Sequence, residues 1–382
     1  MDQKGSIPAG SFIMLIMVAF YAADASTITV QPGQMIQPAI DSASPGDVIL
    51  VEAGIYHENL NISKSISLIG SNDTFIDGGS AGSAIIVRAD EVNITGCSIG
   101  NSRMAGIAVL SNNNSIGRNN ISSCHDGILL ESARNNSIAG NSINGNTNGI
   151  TLLHSLGNMI KENNISKNKV GESDDCGIYL AYSNGNSIFD NLVWNNGDCS
   201  ICLVSSSKNL IIGNNISDNR WYGLSLSEFS NENLISENTA GKNKYSGIHL
   251  ENSRDNIIID NSAKENGNGI YLTCNSINNS VQKNLASANN QGIHLAFHSS
   301  NNTITGNEVM NNKFGIYITF SSGWNSIFNN SLIDNDYNAY DMGMRNRWDN
   351  GSIGNYYSEM GAKYYIPGGG GVDNYPLPQP SR

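Results

Sequence analysis

The feature that most constrains this chain is an internal repeat with a period close to 23 residues. The string G-[IL]-x-[LVI] occurs nine times, and Ser200 takes the place of the glycine in one further copy. Successive copies start 21 to 28 residues apart. A fixed period of this length is typical of solenoids, in which each repeat packs only on its neighbours. The glycines are Gly106, Gly127, Gly149, Gly177, Gly223, Gly247, Gly269, Gly292 and Gly315.

A second string, N-x-[IV]-x-x-N, follows each of the ten copies, and its two asparagines are five residues apart in every copy. We interpret these asparagines as corner residues, because Asn tolerates left-handed backbone angles and identical amides stacked on successive coils can bond to one another. A glycine before each Ile fits a corner where a Cβ would clash. The alternative role for the asparagines is sugar binding. The pairs begin at Asn114, Asn136, Asn158, Asn186, Asn209, Asn233, Asn256, Asn279, Asn302 and Asn325.

The segments between these corners are short and alternate between apolar and polar residues, as in Ile248-His249-Leu250. Such alternation predicts strands with Ile and Leu turned inward, and no segment has the longer 3.6-residue periodicity of a crossover helix. Identical strands then stack in parallel at about 4.8 Å. The predicted fold is all-β, a right-handed parallel β-helix of about twelve coils with ~23 residues each.

The two ends of the chain differ from the repeat. Residues 12–23 form a compact apolar run followed by a small-x-small pattern, which predicts a signal peptide over residues 1–25. Residues 34–43 place Ile36, Ala39 and Ile40 on one helical face, which predicts a short helix capping the first coil. We therefore expect the β-helix with its N-terminal cap over residues 26–345 and a closing segment over residues 346–382.

Several of these strings resemble known families. The opening of the mature chain, residues 28–70, resembles the N-terminal cap of pectin-lyase-like β-helix proteins. The coils, together with NRW at residues 346–348, GNYYS at 354–358, YIPG at 365–368 and DNYPL at 373–377, resemble the NosD-like family of periplasmic copper-binding proteins. They are also similar to modules described as carbohydrate-binding and sugar-hydrolase repeats. The resemblance implies an exported β-helix and a copper-related accessory role.

Charge and export limit the partners. The net charge is −12 and no Lys/Arg stripe is present, which disfavours nucleic acid. Export places the protein outside the cytoplasm, secreted, extracellular or periplasmic, with membrane contact only if the signal is not cleaved. We expect polysaccharide or cell-surface proteins as partners and no cofactor, with calcium or copper as the alternatives.

Equal positions in adjacent coils of a β-helix stack into columns. Residues of one column in adjacent coils are therefore candidates to share a metal ion or to form a disulfide. His249 and His294 are two coils apart, roughly 10 Å, which is too far to share one metal, so no metal site is predicted. Cys176 and Cys199 both precede the repeat glycine position in adjacent coils, which makes them a disulfide candidate or a pair of free thiols. Cys202 is expected to point elsewhere.

Acidic residues supply weak catalytic candidates. The string beginning at Asp174 and Asp175 looks like the Asp-Asp pair of polygalacturonases, but Asn148 stands where that family has a third carboxylate. Stacking would also bring Asp198 close, which allows a lyase with a calcium cluster and Arg220 as base. Whether the chain is an enzyme stays open, with the balance against it.

The position two residues after each repeat glycine holds His249, Tyr271, His294 and Tyr317 in four successive coils. Such a strip of rings suits sugar stacking, and the alternative is that the rings brace neighbouring strands. The function that we predict is an exported cell-surface or periplasmic protein that binds polysaccharide or partner proteins without catalysis. The alternatives are a lyase or glycoside hydrolase acting on acidic polysaccharide and a copper-related accessory protein.

Overall fold

The computed structural model describes residues 25–71, 73–168, 175–319, 321–358, 363–369 and 371–380, so the predicted signal peptide lies almost wholly outside the described residues. The chain winds into a parallel β-helix in which each coil contributes a strand to each of three faces. The predicted fold class is confirmed, although the rod has about fourteen coils rather than about twelve. The additional coils lie near the N-terminus, before the repeat motif becomes regular.

The first face is a sheet of fourteen parallel strands. They are Thr27–Val30, Val48–Val51, Ser67–Gly70, Asn93–Thr95, Ser115–Gly117, Ser137–Ala139, Met159–Lys161, Ser187–Phe189, Leu210–Ile212, Leu234–Ser236, Ile257–Ile259, Ser280–Gln282, Thr303–Thr305 and Ser326–Phe328.

The second and third faces share two long strands, Ser98–Val109 and Asn120–Glu131, which bend from one face into the other. The remaining strands of the second face are Gly54–His57, Thr74–Asp77, Ser142–Asn144, Asn164–Ser166, Leu192–Trp194, Asn215–Ser217, Thr239–Gly241, Ser262–Lys264, Leu285–Ser287, Glu308–Met310, Ser331–Ile333 and Tyr356–Tyr357. The remaining strands of the third face are Leu60–Ile62, Ile85–Val87, Asn148–Leu153, Cys176–Ala181, Cys199–Val204, Tyr222–Ser227, Ser246–Glu251, Asn268–Thr273, Gln291–Leu295, Phe314–Ile318 and Tyr337–Asp341.

The core lies inside the coil and is built from stacks of aliphatic side chains. In one coil Ile160 points inward from the first face, Ile165 from the second and Ile178 from the third, and none of the three has exposed surface. Full burial of such a side chain contributes about 1.5–3 kcal/mol. Because every coil repeats this arrangement, each stack continues along the rod.

Asparagine ladders occupy the corners, as the sequence predicted. The Asn256 side-chain amide donates to Asn279 Oδ1 (3.1 Å) and to the Ser230 carbonyl (3.0 Å). Its own Oδ1 accepts from the backbone N–H (2.8 Å) and the amide (3.0 Å) of Asn233. Each ladder residue therefore satisfies buried backbone groups of a neighbouring coil as well as the next side chain.

The structure corrects two details of the corners. A third ladder, missed in the sequence, runs five residues after the second, for example from Asn243 to Asn266 to Asn289. The left-handed residue is also not the ladder asparagine but the residue before it, such as Asp255 (φ 59°) or Lys242 (φ 56°). Asparagine is thus required at the ladder for its amide, whereas the left-handed position accepts many residue types.

The repeat glycine is explained by close approach to the next coil. A Cβ on Gly247 would lie 2.8 Å from the carbonyl oxygen of Gly269 and 3.0 Å from the Asn266 amide nitrogen. Real Cβ atoms are excluded from such distances, so the predicted clash is confirmed. The glycine allows the chain to bend tightly between the second and third faces.

Both ends of the rod are covered. The helix α1, Ile36–Ser42, buries Ile36, Ala39 and Ile40 on the first coil, and the Glu58 carboxylate accepts hydrogen bonds from its first backbone N–H groups. At the other end, Trp348, Tyr357 and Ile366 are buried against the last coil, beside the antiparallel pair Tyr364–Tyr365 and Val372–Asp373. Among the described residues, no helix is long and apolar enough to cross a membrane.

The ladder makes a direct prediction about stability. Replacing Asn256→Leu leaves buried partners on two neighbouring coils without hydrogen bonds, so the free energy of unfolding should fall by about 3 kcal/mol or more. The matched control is Asn215→Leu, since Asn215 is an exposed asparagine on the second face and should tolerate Leu within about 0.5 kcal/mol. Urea unfolding followed by circular dichroism measures both. Equal midpoints for the two variants would contradict the role assigned to the ladder.

Candidate functional site

The third face carries the candidate site because the glycine bend brings two outward columns of side chains side by side. Column one holds the residue before each repeat glycine position, and column two holds the residue two after it. The strand pairing is in register along both columns. Column one contains Cys176, Cys199, Tyr222, Ser246, Asn268, Gln291, Phe314 and Tyr337, and column two contains Tyr179, Cys202, Ser225, His249, Tyr271, His294, Tyr317 and Tyr340.

The predicted strip of rings lies in column two, with the predicted register. Ring centroids are 5.4 Å apart between His249 and Tyr271, 4.6 Å between Tyr271 and His294, and 4.9 Å between His294 and Tyr317. The last two pairs are stacked, and the first is tilted. The column assignment made from the sequence is therefore confirmed, while sugar binding by the strip stays a prediction.

The strip is less exposed than the sequence suggested. His249 has 4% of its surface exposed and Tyr271 has 6%, so these two residues are buried rather than on the surface. The reason is column one: Tyr222 stacks on His249 with centroids 4.4 Å apart. Tyr245, just before column one, meets Tyr271 edge-on at 6.3 Å. His294 and Tyr317 remain partly exposed.

Besides Tyr245, four rings in the two columns were missed in the sequence: Tyr222, Phe314, Tyr337 and Tyr340. Phe314 stacks on Tyr317 (4.7 Å) and on Tyr337 (5.0 Å), so the rings continue across both columns to the last coil. From Tyr222 to Tyr340 the run covers five coil steps, or about 24 Å. The signal for Tyr222, Phe314 and Tyr337 is their position next to the repeat glycine position, whereas Tyr340 lies in a coil that lacks the motif, because Asn338 takes the place of the glycine there.

A cleft of about 340 Å³ opens over Tyr271 and His294 in the middle of this run, and we call it the ring cleft. Its walls combine ring faces with side-chain amides and one cation: Lys244, Tyr245, Asn268, Tyr271, Asn290, Gln291 and His294 line it together with Gly267. The size falls in the range of small-molecule sites. Flat apolar surfaces beside hydrogen-bonding amides are what a sugar ring requires.

Burial changes the acid–base behaviour of the two histidines. Removal from water lowers the pKa of His249 from its ordinary value of 6.5 to about 3, and that of His294 to about 4. His294 Nδ1 lies 3.1 Å from Asn268 Oδ1, and His249 Nδ1 lies 3.2 Å from the Ser225 hydroxyl. Both imidazoles are therefore neutral at physiological pH and serve as polar flat rings rather than as cations.

A second cleft, of about 500 Å³, opens at the other end of the columns, and we call it the thiol cleft. Cys176 and Cys199 are paired in register, as predicted, and both are free thiols in this structure, which is one of the two alternatives expected from the sequence. The expectation for Cys202 was wrong: the Sγ atoms of all three cysteines lie within 4.8 Å of one another. The bend at Ser200 turns column two toward column one, which brings Cys202 to the pair.

The acidic candidates lie beside this cleft. Asp174 falls outside the described residues. Asp175 is buried, and Asp198 is partly exposed and lines the thiol cleft. Their coils are adjacent, since the Asp198 N–H donates to the Asp175 carbonyl (2.7 Å). Arg220 follows in the next coil, where its side chain is exposed and its guanidinium lies 5.9 Å from the Trp221 ring.

The fold and the site together define a parallel β-helix protein whose third face carries a run of rings from Tyr222 to Tyr340. We call the surface along these rings the groove. The sequence model of the family described as "Periplasmic copper-binding protein (NosD)" matches residues 167–286 and 273–362, just over half of the chain. The chain belongs to this family. A second model, "Right handed beta helix region", matches residues 54–216. No curated protein matches the sequence at a significant level.

Solved structures share the fold at low identity. The Dettilon tailspike protein superposes with a TM-score of 0.63 at 17% identity, over 74% of this chain and 64% of the tailspike chain. The A-module of the Azotobacter vinelandii mannuronan C-5 epimerase AlgE4 gives 0.55 at 16%, over 82% of this chain and 92% of the module. DFA-IIIase from Arthrobacter chlorophenolicus A6 gives 0.54 at 15%, over 75% and 84%. These likenesses support the β-helix fold alone.

The buried histidines predict a pH dependence of stability. The pKa of both His249 and His294 is lower in the folded than in the unfolded state, so the unfolded chain takes up protons first as the pH falls. The free energy of unfolding should therefore decrease below about pH 6.5, by up to about 1.4 kcal/mol per pH unit for each histidine, until the folded-state pKa is reached.

Urea unfolding at pH 7, 6, 5 and 4 tests this, with His249→Gln compared with the wild type. The variant should show a shallower loss of stability between pH 6 and 4. His298→Gln is the control, since His298 is exposed and its replacement should leave the slope unchanged. A slope in His249→Gln equal to that of the wild type would show that the His249 ring is not held neutral.

Proposed function

We propose that this protein acts outside the cytoplasm and binds a polysaccharide chain along its third face without cleaving it. The observation that carries the proposal is the uninterrupted run of rings from Tyr222 to Tyr340 beside the amides of Asn268 and Gln291. Stacked rings that only braced the rod would not need a cleft lined by hydrogen-bonding groups. The neighbours with shared fold include an epimerase named for mannuronan, which supports a polysaccharide as the ligand class.

Export is supported by residues 12–23 and by the family's description as periplasmic. A cell-surface or periplasmic position would bring the rod into contact with extracellular glycans. A partner protein on the same face is the alternative ligand, and binding to a polysaccharide panel separates the two.

The rim of the groove carries cations close to rings. Lys244 Nζ lies 5.5 Å from the Trp221 ring, and Lys313 Nζ lies 5.9 Å from the Phe314 ring. These cations stand out in a chain with a net charge of −12. They favour a polysaccharide with carboxylate groups, because a local cation attracts such a ligand even where the overall charge repels it.

Catalysis on an acidic polysaccharide is the second candidate. It would require paired carboxylates that reach a glycosidic bond, or a carboxylate-bound calcium beside a base. Asp175 is buried, while Asp198 alone of the described candidates opens toward a cleft. We therefore place the binding function first.

The family's description also names copper, which raises the question of donors. The histidines of column two are stacked between other rings and are separated by Tyr271, so they do not converge on one ion. The three sulfur atoms of the thiol cleft do converge, and thiolates are ligands that copper(I) prefers. The donor set therefore fits the ion at that cleft and not along the rings.

The binding test uses a panel of acidic and neutral polysaccharides in affinity electrophoresis, with each mixture also assayed for new reducing or unsaturated ends, with and without calcium. We expect retardation without new ends. Tyr317→Ala should weaken binding about two- to tenfold, since loss of one stacking ring is worth about 0.5–1.5 kcal/mol and the ring is partly exposed. Tyr271 is a poorer target, because removing a buried ring also costs stability.

Tyr182→Ala is the matched control, since Tyr182 has 54% of its surface exposed and stacks on His154, outside both columns. Lys244→Ala should weaken binding to acidic chains only. No binding to any polysaccharide, or equal binding by Tyr317→Ala and the wild type, would refute the proposal. New chain ends that disappear in Asp198→Asn would replace it with catalysis.

A further inference from the structure

Three thiols converge in the thiol cleft, which meets the ring run proposed for polysaccharide binding at Tyr222. Cys176 and Cys199 occupy column one in adjacent coils, and Cys202 lies in column two of the same coil as Cys199. Their Sγ atoms lie within 4.8 Å of one another. Cys176 and Cys199 are buried, while Cys202 is partly exposed at the wall of the thiol cleft.

The other cysteines show what an ordinary buried thiol does in this fold. Cys97 Sγ faces the carbonyl of Thr95 (3.7 Å), and Cys124 Sγ faces the carbonyl of Ser122 (3.3 Å). Each of these two thiols donates a hydrogen bond to a carbonyl two residues earlier in its own turn. In the cluster the thiols instead interact with one another, which also raises the pKa of Cys176 through its contacts with Cys199 and Cys202.

A disulfide does not account for the arrangement. Two in-register cysteines on adjacent coils are sufficient for a disulfide, and Cys202 would then be superfluous. Three sulfur atoms at mutual distances of this size are instead what a single ion bound by all three requires. A metal ion can also reach the three sulfur atoms from solvent, because the thiol cleft is open beside Trp221 and Tyr222.

We propose that Cys176, Cys199 and Cys202 bind one copper(I) ion through three thiolates. Thiolates select soft ions such as copper(I), and copper(I) is satisfied by three sulfur ligands, whereas structural zinc requires four ligands. Among the described residues, the cluster of potential ligands contains these three cysteines and no histidine. Asp198 lines the same cleft and adds negative charge near the entrance for the cation.

The binding step involves proton release and no electron transfer. Copper(I) forms three Cu–S bonds, three S–H bonds break, and three protons leave through the cleft to solvent. The ion keeps its oxidation state, provided that it is supplied as copper(I). Since protons compete with the metal for the thiolates, affinity decreases as the pH is lowered.

The test is a titration of the reduced full-length protein with copper(I) under anaerobic conditions, in competition with the chromophoric chelator bicinchoninate. We expect the protein to withdraw one copper(I) per chain and to gain sulfur-to-copper charge-transfer absorption in the near ultraviolet. Bound copper should protect the partly exposed Cys202 from alkylation, as mapped by mass spectrometry, while the partly exposed Cys274 reacts as before.

Cys202→Ser is the decisive variant, because its side chain is partly exposed and the substitution is small. It should weaken copper(I) binding by more than the roughly 10–100-fold typical of losing an outer-shell partner. Cys274→Ser is the matched control and should retain the copper, as should Tyr317→Ala. The last variant separates this site from the proposed glycan groove.

Three outcomes would overturn the proposal. One is that the reduced wild type withdraws no copper from the chelator. Another is that Cys202→Ser binds copper as tightly as the wild type does. The third is that zinc(II) binds in equal stoichiometry and displaces copper(I), which would assign the cluster to a different ion. None of these results bears on whether a polysaccharide binds at the rings.

Discussion

The hydrogen bond between side-chain amides of neighbouring coils is the interaction on which the rest of this structure depends. A tight corner in a solenoid exposes backbone N–H and C=O groups that no strand can pair, and the interior contains no room for water to pair them. The Asn256 side chain bonds the Asn279 side chain of the next coil and the backbone of Ser230 and Asn233 in the preceding coil, and its equivalents repeat this pattern. Because that geometry repeats only when coils are aligned, the ladders also fix the register of every strand.

Register in turn creates the functional face. A slip by one residue would turn the inward aliphatic side chains outward, so the same constraint that protects the core also keeps the two columns in line. The glycine bend then brings the columns together, because a residue with a Cβ cannot come as close to the next coil as Gly247 does. The backbone geometry is the same in each coil along the rod. The side chains in the two columns change, from thiols near Cys199 to aromatic rings near Tyr317.

Much of this could be predicted from the sequence, and two of the failures at the site share one physical cause. Periodicity along the chain gives the register between coils, which is why the pairing of Cys176 with Cys199 and the order from His249 to Tyr317 were predicted correctly. Periodicity says nothing about the angle between two positions within a coil. The convergence of Cys202 on the cysteine pair and the cover of Tyr222 over His249 both depend on that angle, so both were missed.

The closing segment has a consequence for the dynamics of the rod. Each coil contacts only its two neighbours, so local opening of a solenoid spreads inward from its ends. The ring run ends at Tyr340 in the last coil, next to Asp341, which accepts a hydrogen bond from the Trp348 indole, whereas Cys176, Cys199 and Cys202 lie in the middle of the rod. Amide hydrogen exchange should therefore be fastest at the C-terminal end of the groove and slowest around Cys176, Cys199 and Cys202. The groove and the thiol cleft lie on the same face but differ in how often their coils open.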